Sequence, residues 1–546
     1  MEHLQTVQII VQPDLGSPNC DSVVLVLEDI SVLPPDFKLI TPTLESQNKI
    51  VTKFSTGVHV LHCDGLPSGR LVVSFTGPMD REYDDMRRVV EAAKEGMSQA
   101  LKAGSVKPLL ALAPLKTVGR IARSWNNPKA LSLSTLLGAL QSLYVPLEVR
   151  EFSERSGTDP NKTVKATKAE SLSWFSYPQD NLDHDKLIQV AWALEEGRRV
   201  ARDIGGSDPE RMCASRIVDY LKAEMTDKTV KMDVQPVDAK LYPLAAVVDR
   251  GSNERHRGVI VHLDYSGPTD SAADTASVTN LFLVGKGIVY DTGGSDIKHG
   301  GNMVTMHRDK CGAAAVAGMV KTASILKAKN INLHCGLAII RNSYGENAYV
   351  SDEIIVSRAG LRIRVTNTDA EGRMVMTDLL CEAKEKALKV PNPHLMTVAT
   401  LTGHVTLSYG TWYTALVCNG TAHEMHADNH LQLAGSLLGE MSEISTIRRE
   451  DYEAHSAAEE YADLRNSSRP VGGRRCRGHQ SPAAFMILAS GLDSHMLGSE
   501  HPLPYTHFDI AGSMGPCPGI PSGVPILTLS SQYLLNDFWK QESNTS

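Results

Sequence analysis

Two acids and an arginine fall within one short run, Asn367-Thr368-Asp369-Ala370-Glu371-Gly372-Arg373. Asp369 and Glu371 are two positions apart, so in an extended conformation both carboxylates project to the same side. At close range they repel. Two divalent cations relieve that repulsion, because carboxylates are hard oxygen donors that bridge ions roughly 3.5–4 Å apart in two-metal hydrolases. For the pair alone, two solvated acids in a turn serve equally well. Upstream, glycines flank a single Lys286 and a single Asp291 in Val284-Gly285-Lys286-Gly287-Ile288-Val289-Tyr290-Asp291-Thr292-Gly293-Gly294. Glycine lets the backbone approach a ligand or another chain segment closely; a tight strand-to-loop transition accounts for the same run. The GxxxxGK[ST] spacing of a phosphate loop is absent. Asp309 precedes the small-residue run Cys311–Gly318, where an acid on its own reads as a helix cap or dipole partner.

Positioning these groups takes a particular kind of scaffold. Strand-like runs at Gly258–Leu263, Leu281–Val284, Ile331–Ile340, Arg362–Val365 and Leu395–Leu401 alternate with helical ones at Cys311–Leu326 and Met374–Leu388. That alternation predicts a mostly parallel sheet flanked by helices. The reactive residues then gather at the carboxyl ends of its strands. Earlier in the chain, Val7–Val11, Val23–Leu27, Val58–Leu61 and Leu71–Phe75 read as strands and Tyr83–Ala103 as a helix, giving a smaller α/β domain. Apolar residues recur at helical intervals from Lys186 to Ile204 and stop at Gly205-Gly206, the pattern of a helix joining two domains. The expected division is 1–184 and 185–546, with the N-terminal domain as scaffold or assembly element.

A length of 546 residues favours at least two domains. Hydrophobic residues at 42% and charged residues at 22% are those of a folded globular protein rather than a disordered or fibrous one. The formal charge of -8 argues against nucleic acid as a partner. Nine cysteines, with no CxxC pair, fit reduced thiols in a cytoplasmic setting better than a disulfide framework or a zinc-thiolate site. Neither a secretory leader nor a membrane-spanning run is expected.

Taken together, GKGIVYDTGG, HRDKCGAAA and the intact signature NTDAEGR resemble the leucyl aminopeptidase (cytosol aminopeptidase) family, in an animal aminopeptidase-like branch. The likeness continues through Glu346-Asn347-Ala348-Tyr349, Ala399-Thr400-Leu401-Thr402-Gly403 and His507-Phe508-Asp509-Ile510-Ala511-Gly512, and so covers the C-terminal half. It implies that Lys286, Asp291, Asp309, Asp369 and Glu371 are metal ligands for two divalent ions per subunit, Zn²⁺ and/or Mn²⁺ or else Mg²⁺, with Asp291 and Glu371 bridging. A ligating Lys286 would have to lose its proton, driven by the adjacent cations and burial. The resemblance makes Lys298 the group that polarises the scissile carbonyl. It makes Arg373, with the backbone of Leu401, the holder of a bicarbonate acting as general base. Met306, Thr400 and Gly403 would line the pocket for the first side chain, an apolar one. The implied activity is removal of N-terminal, preferably apolar, amino acids from peptides by a metal-activated water, in a homohexamer.

Where the family commonly has Met-Gly after the acid matching Asp309, this chain has Lys310-Cys311, which places a charge and a thiol beside the metals. His404 stands in place of an alanine, and Gly478-His479-Gln480-Ser481-Pro482 in place of a stretch rich in glycine and alanine. These departures sustain an alternative reading, a catalytically weak or inactive hexameric structural or regulatory protein that keeps the fold. A two-metal phosphoesterase explains the acids but not the signature. His423-Glu424-Met425-His426 lacks the four-residue histidine spacing of HExxH and reads as surface. Arg474, Arg475 and Arg477 read as a solvated loop or a subunit contact.

Overall fold

Every residue of the run SVVLVL at Ser22–Leu27 is buried, as befits a parallel strand covered on both faces. The computed structural model describes residues 7–115, 127–155, 166–177, 181–269, 277–468 and 476–540. In its N-terminal part, β1 (Ile9–Gln12), β2 (Ser22–Leu27), β3 (Val58–His62), β4 (Arg70–Phe75), β5 (Pro108–Leu112) and β6 (Leu172–Phe175) form a sheet in the order β1-β6-β5-β2-β4-β3. All its pairings are parallel except that of β3 with β4. The helix expected over Tyr83–Ala103 spans Arg87–Lys102. It begins late because Asp84 and Asp85 are held in the preceding loop by Arg81, Arg87 and Arg88.

The C-terminal part is built on β7 (Val230–Pro236), β8 (Val259–Ser266), β9 (Thr279–Asp291), β10 (Ile331–Asn342), β11 (Ile354–Val356), β12 (Arg362–Arg364), β13 (Pro393–Ala399), β14 (Thr414–Cys418), β15 (Ser442–Thr446), β16 (Leu464–Arg465) and β17 (Tyr505–Asp509). Eight of these form one sheet in the order β15-β14-β17-β13-β9-β10-β8-β7, and β11-β12-β16 form a small second one. The centre, β17-β13-β9-β10, is wholly parallel. Antiparallel pairings lie to either side, at β14 with β17, β10 with β8 and β8 with β7. The parallel centre is made by crossovers, with helix Cys311–Leu326 between β9 and β10 and helix Glu371–Ala387 between β12 and β13.

Close packing fixes those helices. A Cβ at Gly285 of β9 would stand 2.6 Å from Cα of Ala313, so only glycine there lets helix Cys311–Leu326 lie so near the strand. On helix Glu371–Ala387, Met374, Val375 and Leu379 join Phe282, Val284 and Ile288 of β9 in one buried cluster. Each such side chain contributes about 1.5–3 kcal/mol. At its carboxyl end β9 is irregular. Ile340 pairs with Ile288, but Asn342 pairs with Asp291, so one extra residue is taken up on β9 just before that acid. Such bulges re-aim side chains and are common beside active sites.

The chain divides into two compact units. The first runs from the N-terminus to Glu196 and includes Ser436–Glu440 and the stretch from Leu535 onward; the second is Gly197–Gly435 with Met441–Leu534. The division falls inside helix His184–Gly206, whose first turn is where the sequence reading places it. Among the described residues, no single helix is long and apolar enough to cross a membrane, and all nine cysteines are free thiols.

Candidate metal centre

Lys286 lies in the continuous buried run of β9, which ends on Asp291. Asp309 comes from the turn of 3₁₀ helix Met306–Lys310, and Glu371 opens helix Glu371–Ala387. Asp369 sits in the turn before that helix, so Asp369 and Glu371 are not the extended pair expected from their spacing. The strand stops at Arg364 and the chain has already turned into a helix at Glu371. The two acids converge all the same, one through each of two lysines.

Lys286 Nζ lies 2.8 Å from Asp309 Oδ1 and 2.9 Å from Glu371 Oε1, and it donates to the Thr400 carbonyl at 3.1 Å. Lys298 Nζ lies 2.9 Å from Asp291 Oδ2 and also donates to Asp369 Oδ1. The helix can present Glu371 this closely because the next residue has no side chain. A Cβ at Gly372 would stand 2.4 Å from Cε and 2.7 Å from Nζ of Lys286.

Two ammonium groups thus face four carboxylates, with Lys286, Asp291, Asp309 and Glu371 buried and Asp369 open to solvent beside Lys298. Burial and the neighbouring Glu371 push Asp291 above the usual carboxylate range, and burial with Glu371 and Asp291 pushes Asp309 well above it. The same influences bring Asp369 up to about 6. Glu371 is held low: burial opposes its charge, but Lys286 and Lys298 outweigh burial. Burial also opposes the charge on Lys286, yet Asp309, Glu371 and Asp291 hold its ammonium above the ordinary lysine value. Ligation by Lys286 therefore requires cations to replace its proton among these same oxygens.

Three features suit a divalent cation. Oxygens of Asp291, Asp309 and Glu371 all lie within 4.8 Å of one another, the only such group of potential ligands among the described residues. The donors are hard oxygens plus one amine. Asp309 Oδ2 is buried without a hydrogen-bond partner, an acceptor that is costly to leave unused.

The other expected site residues surround this core. Thr400 is buried and donates from Oγ1 to Asp309 Oδ1 at 2.8 Å. Met306 opens the 3₁₀ turn that carries Asp309. Gly403 is exposed, and a Cβ there would meet nothing within 4 Å, so it borders open space. Arg373 is buried in the first turn of its helix and donates from Nη1 to the Asn466 carbonyl at 3.0 Å. The Leu401 N–H donates to Asp509 Oδ1 at 3.1 Å; an anion held there would share that N–H with Asp509.

Lys310 and Cys311 do not place a charge and a thiol among the carboxylates. Lys310 is fully buried and its Nζ donates to the carbonyls of Ser207 and His307, at 2.9 and 2.5 Å. Cys311 Sγ points to the Gly205 carbonyl, 3.9 Å away, and burial pushes its thiol up to about 11. Successive side chains of a 3₁₀ turn stand about 120° apart, and Lys310 and Cys311 both turn from Asp309 toward the Gly205–Ser207 backbone. His404 packs against Gly478, where a Cβ would come within 2.1 Å of its ring. His423 pairs with Asp428 at 2.6 Å. Arg477 pairs with Asp451 at 2.7 Å, whereas Arg474 and Arg475 lie outside the described residues.

Residues to which the sequence reading gave no role hold the loops together. Thr368 N donates to Asp296 Oδ2, and Asp296 N to Thr368 Oγ1, both at 2.7 Å. Asn466 accepts from Thr366 N at 2.8 Å and donates to the Asn367 carbonyl at 2.8 Å. Asp509 takes Thr402 Oγ1 at 2.7 Å as well as the Leu401 N–H. Asn342 reaches Asp291 at 2.8 Å. Of these only Asn342 had a visible signal, a polar residue ending the apolar run of β10.

The catalytic-domain profile of the cytosol aminopeptidase family matches residues 199–529. A Caenorhabditis elegans protein named "Putative aminopeptidase W07G4.4" is 37% identical over 98% of this chain and 99% of its own. A Micrococcus luteus "Probable cytosol aminopeptidase" is 26% identical over 85% and 84%. Among solved structures, a mutant of tomato leucine aminopeptidase superposes with a TM-score of 0.74 at 17% identity, covering 98% of each chain. The Mn-bound bottromycin maturation enzyme BotP gives 0.72 at 18% identity, covering 95% of this chain and 100% of that one, and both show the same fold. With the segments that carry Lys286, Asp291, Asp309, Asp369 and Glu371 inside the matched region, the chain belongs to the cytosol aminopeptidase family.

Proposed function

We propose that this protein is a metal-dependent aminopeptidase that hydrolyses the first peptide bond of substrates with a free amino terminus, with preference for apolar first residues. The observation that carries the reading is the convergence of buried Asp291, Asp309 and Glu371, with the more exposed Asp369 at their edge, around Lys286 and Lys298, with Asp309 Oδ2 unpartnered. Lys286 and the four acids would hold two divalent ions, Zn²⁺ and/or Mn²⁺; a solved structural neighbour is a Mn complex. Bound there, such ions supply Lewis acidity to a carbonyl and to water.

The chain's own groups do the rest. Lys298 is the more exposed of the two lysines, with a side chain 15% accessible against 3% for Lys286. Its ammonium therefore faces an arriving carbonyl and stabilises the charge that develops on its oxygen. Thr400 hydrogen-bonds to Asp309, and Gly403 borders open space; with Met306 they would line the pocket for an apolar first side chain. Arg373 presents a buried guanidinium at a helix start, a setting that favours an anion such as bicarbonate. Water adds across the C–N bond, releasing a free amino acid and a shortened peptide.

A cytosolic location is supported by relatives named cytosol aminopeptidase, and a homohexamer by the family resemblance. Because Lys310 and Cys311 turn away from the carboxylates, they give no support to the inactive alternative. The test is a peptide panel after loading with Mn²⁺ or Zn²⁺. Leucine and methionine amides should be cleaved and their N-acetyl counterparts left intact, and Glu371→Ala should lower kcat/KM by more than about 1,000-fold, beyond the 10–100-fold typical of supporting residues. Equal activity of Glu371→Ala and wild type would sink the reading.

A further inference from the structure

Asn342 is the last residue of β10 and has no solvent exposure. The irregularity near the end of β9 sets it directly beside Asp291. Its Nδ2 donates to Asp291 Oδ1 at 2.8 Å and reaches the Thr368 carbonyl at 3.2 Å and Glu371 Oε2 at 3.4 Å. Its own carbonyl accepts from both N and Oγ1 of Thr292, at 3.0 and 2.9 Å. The backbone of Asn342 thus anchors the loop that follows Asp291, while its side chain touches two of the four acids.

The amide can face only one way. Turned over, its oxygen would meet two carboxylate oxygens and a carbonyl, and its two N–H groups would be left against Gly294. As placed, Nδ2 has three acceptors and Oδ1 is the buried atom without a partner, 3.1 Å from where a Cβ of Gly294 would stand. The acids fix the amide, and the amide in return fixes the acids.

Charge distinguishes this contact from those of the lysines. Asp291 and Glu371 repel each other in a closed region, and Lys286 and Lys298 bind the oxygens that a metal would need. The Asn342 amide is the side-chain donor that touches both acids while adding no charge, and it uses Asp291 Oδ1 and Glu371 Oε2. Asp291 Oδ2 and Glu371 Oε1, the oxygens now facing ammonium groups, stay directed into the centre.

We infer that Asn342 is a positioning residue of this centre: its carboxamide holds the Asp291 and Glu371 carboxylates at the separation and orientation that a pair of divalent cations requires. This rests on the aminopeptidase reading above, but its first readout does not need catalysis. Asn342→Ala, Asn342→Ser and the shape-preserving Asn342→Leu are to be compared with wild type for Mn²⁺ affinity by chelator competition, with folding followed by circular dichroism. Folded variants should bind Mn²⁺ 10–100-fold more weakly. At saturating Mn²⁺ they should show a lowered kcat toward leucine amide with KM within about twofold, because the first-residue pocket is untouched. A merely structural asparagine would lower thermal stability while leaving Mn²⁺ affinity and kcat at wild-type values, and that result in any folded variant overturns the inference. A wild-type protein that neither binds Mn²⁺ nor cleaves leucine amide would instead overturn the aminopeptidase reading.

Discussion

The second unit contains two clusters rich in charge, one buried around Arg199 and one open at Asp369, and they are built on opposite principles. In one, Arg199 lies 2.7 Å from Glu224 and 3.1 Å from Asp203, Tyr220 donates to Asp203 at 2.7 Å, and Lys321 lies 3.3 Å from Glu224. Each of those acids has a cation against it, and the group ties helices His184–Gly206, Ala214–Glu224 and Cys311–Leu326 together. In the other, four acids share Lys286 and Lys298, and Asp309 keeps an unpartnered oxygen. A structural ion network matches cation to acid; the candidate metal centre is left short of positive charge, with Asn342 and Thr400 hydrogen-bonded to its acids. The mismatch, more than the number of charges, marks the functional site.

The comparison breaks most sharply if the first cluster is disturbed. Arg199→Met should cost about 3–5 kcal/mol of folding stability, because it leaves buried acids unpaired, while the Mn²⁺ stoichiometry of the folded fraction stays at the wild-type value. Urea denaturation and metal analysis report the two quantities separately. Lys298→Ala tests the other side: kcat should fall by roughly 10²–10³-fold, the cost typical of losing one oxyanion donor, with stability little changed. A loss of stability equal to that of Arg199→Met would erase the distinction.

Asp509 makes a finer test, since this fully buried acid beside the centre is held by N–H and hydroxyl donors. Burial outweighs those donors and pushes it up to about 6, from an ordinary value near 3.8. The folded state therefore binds the proton more tightly than the unfolded chain does. Between about pH 4 and 6 its contribution to stability falls as pH rises, by at most about 1.4 kcal/mol per pH unit. Asp509→Asn should flatten the stability–pH curve in that window, as measured by denaturation at a series of pH values; an unchanged slope would show that Asp509 is not its source. The smallest effect is expected from Cys311→Ala. Its thiol faces Gly205, so Mn²⁺ affinity and kcat should stay within about twofold of wild type, and a larger change would mean that the thiol reaches the metals after all.

Much of this was legible in the sequence. The apolar runs of β9 and β10, and the small residues of helix Cys311–Leu326, foretell a buried parallel centre because burial on both faces leaves few other residue choices. Lys286, Asp291, Asp309, Asp369 and Glu371 stand out through the motifs they occupy, and the structure brings all five together. Spacing misleads where the chain changes conformation within a motif. The period-two argument for Asp369 and Glu371 fails because the helix starts at Glu371 itself, with Ala370 as its N-cap. The contacts of Asn466 and Asp509 were not legible because each acts across a long stretch of chain, as when Asn466 grips Thr366 and Asn367 from 100 and 99 residues away. The return of Ser436–Glu440 to the first unit has no local signature at all.

Gly372 ties the signature's shape to its charge. The space a methyl group would need at that position is the space already filled by the end of the Lys286 side chain. Backbone and ammonium are rival occupants of one small volume, so the signature can admit a side chain at 372 only by evicting the lysine. The glycine of the motif is in effect the socket of a residue 86 positions upstream, and a side chain there displaces that ammonium from Asp309 and Glu371.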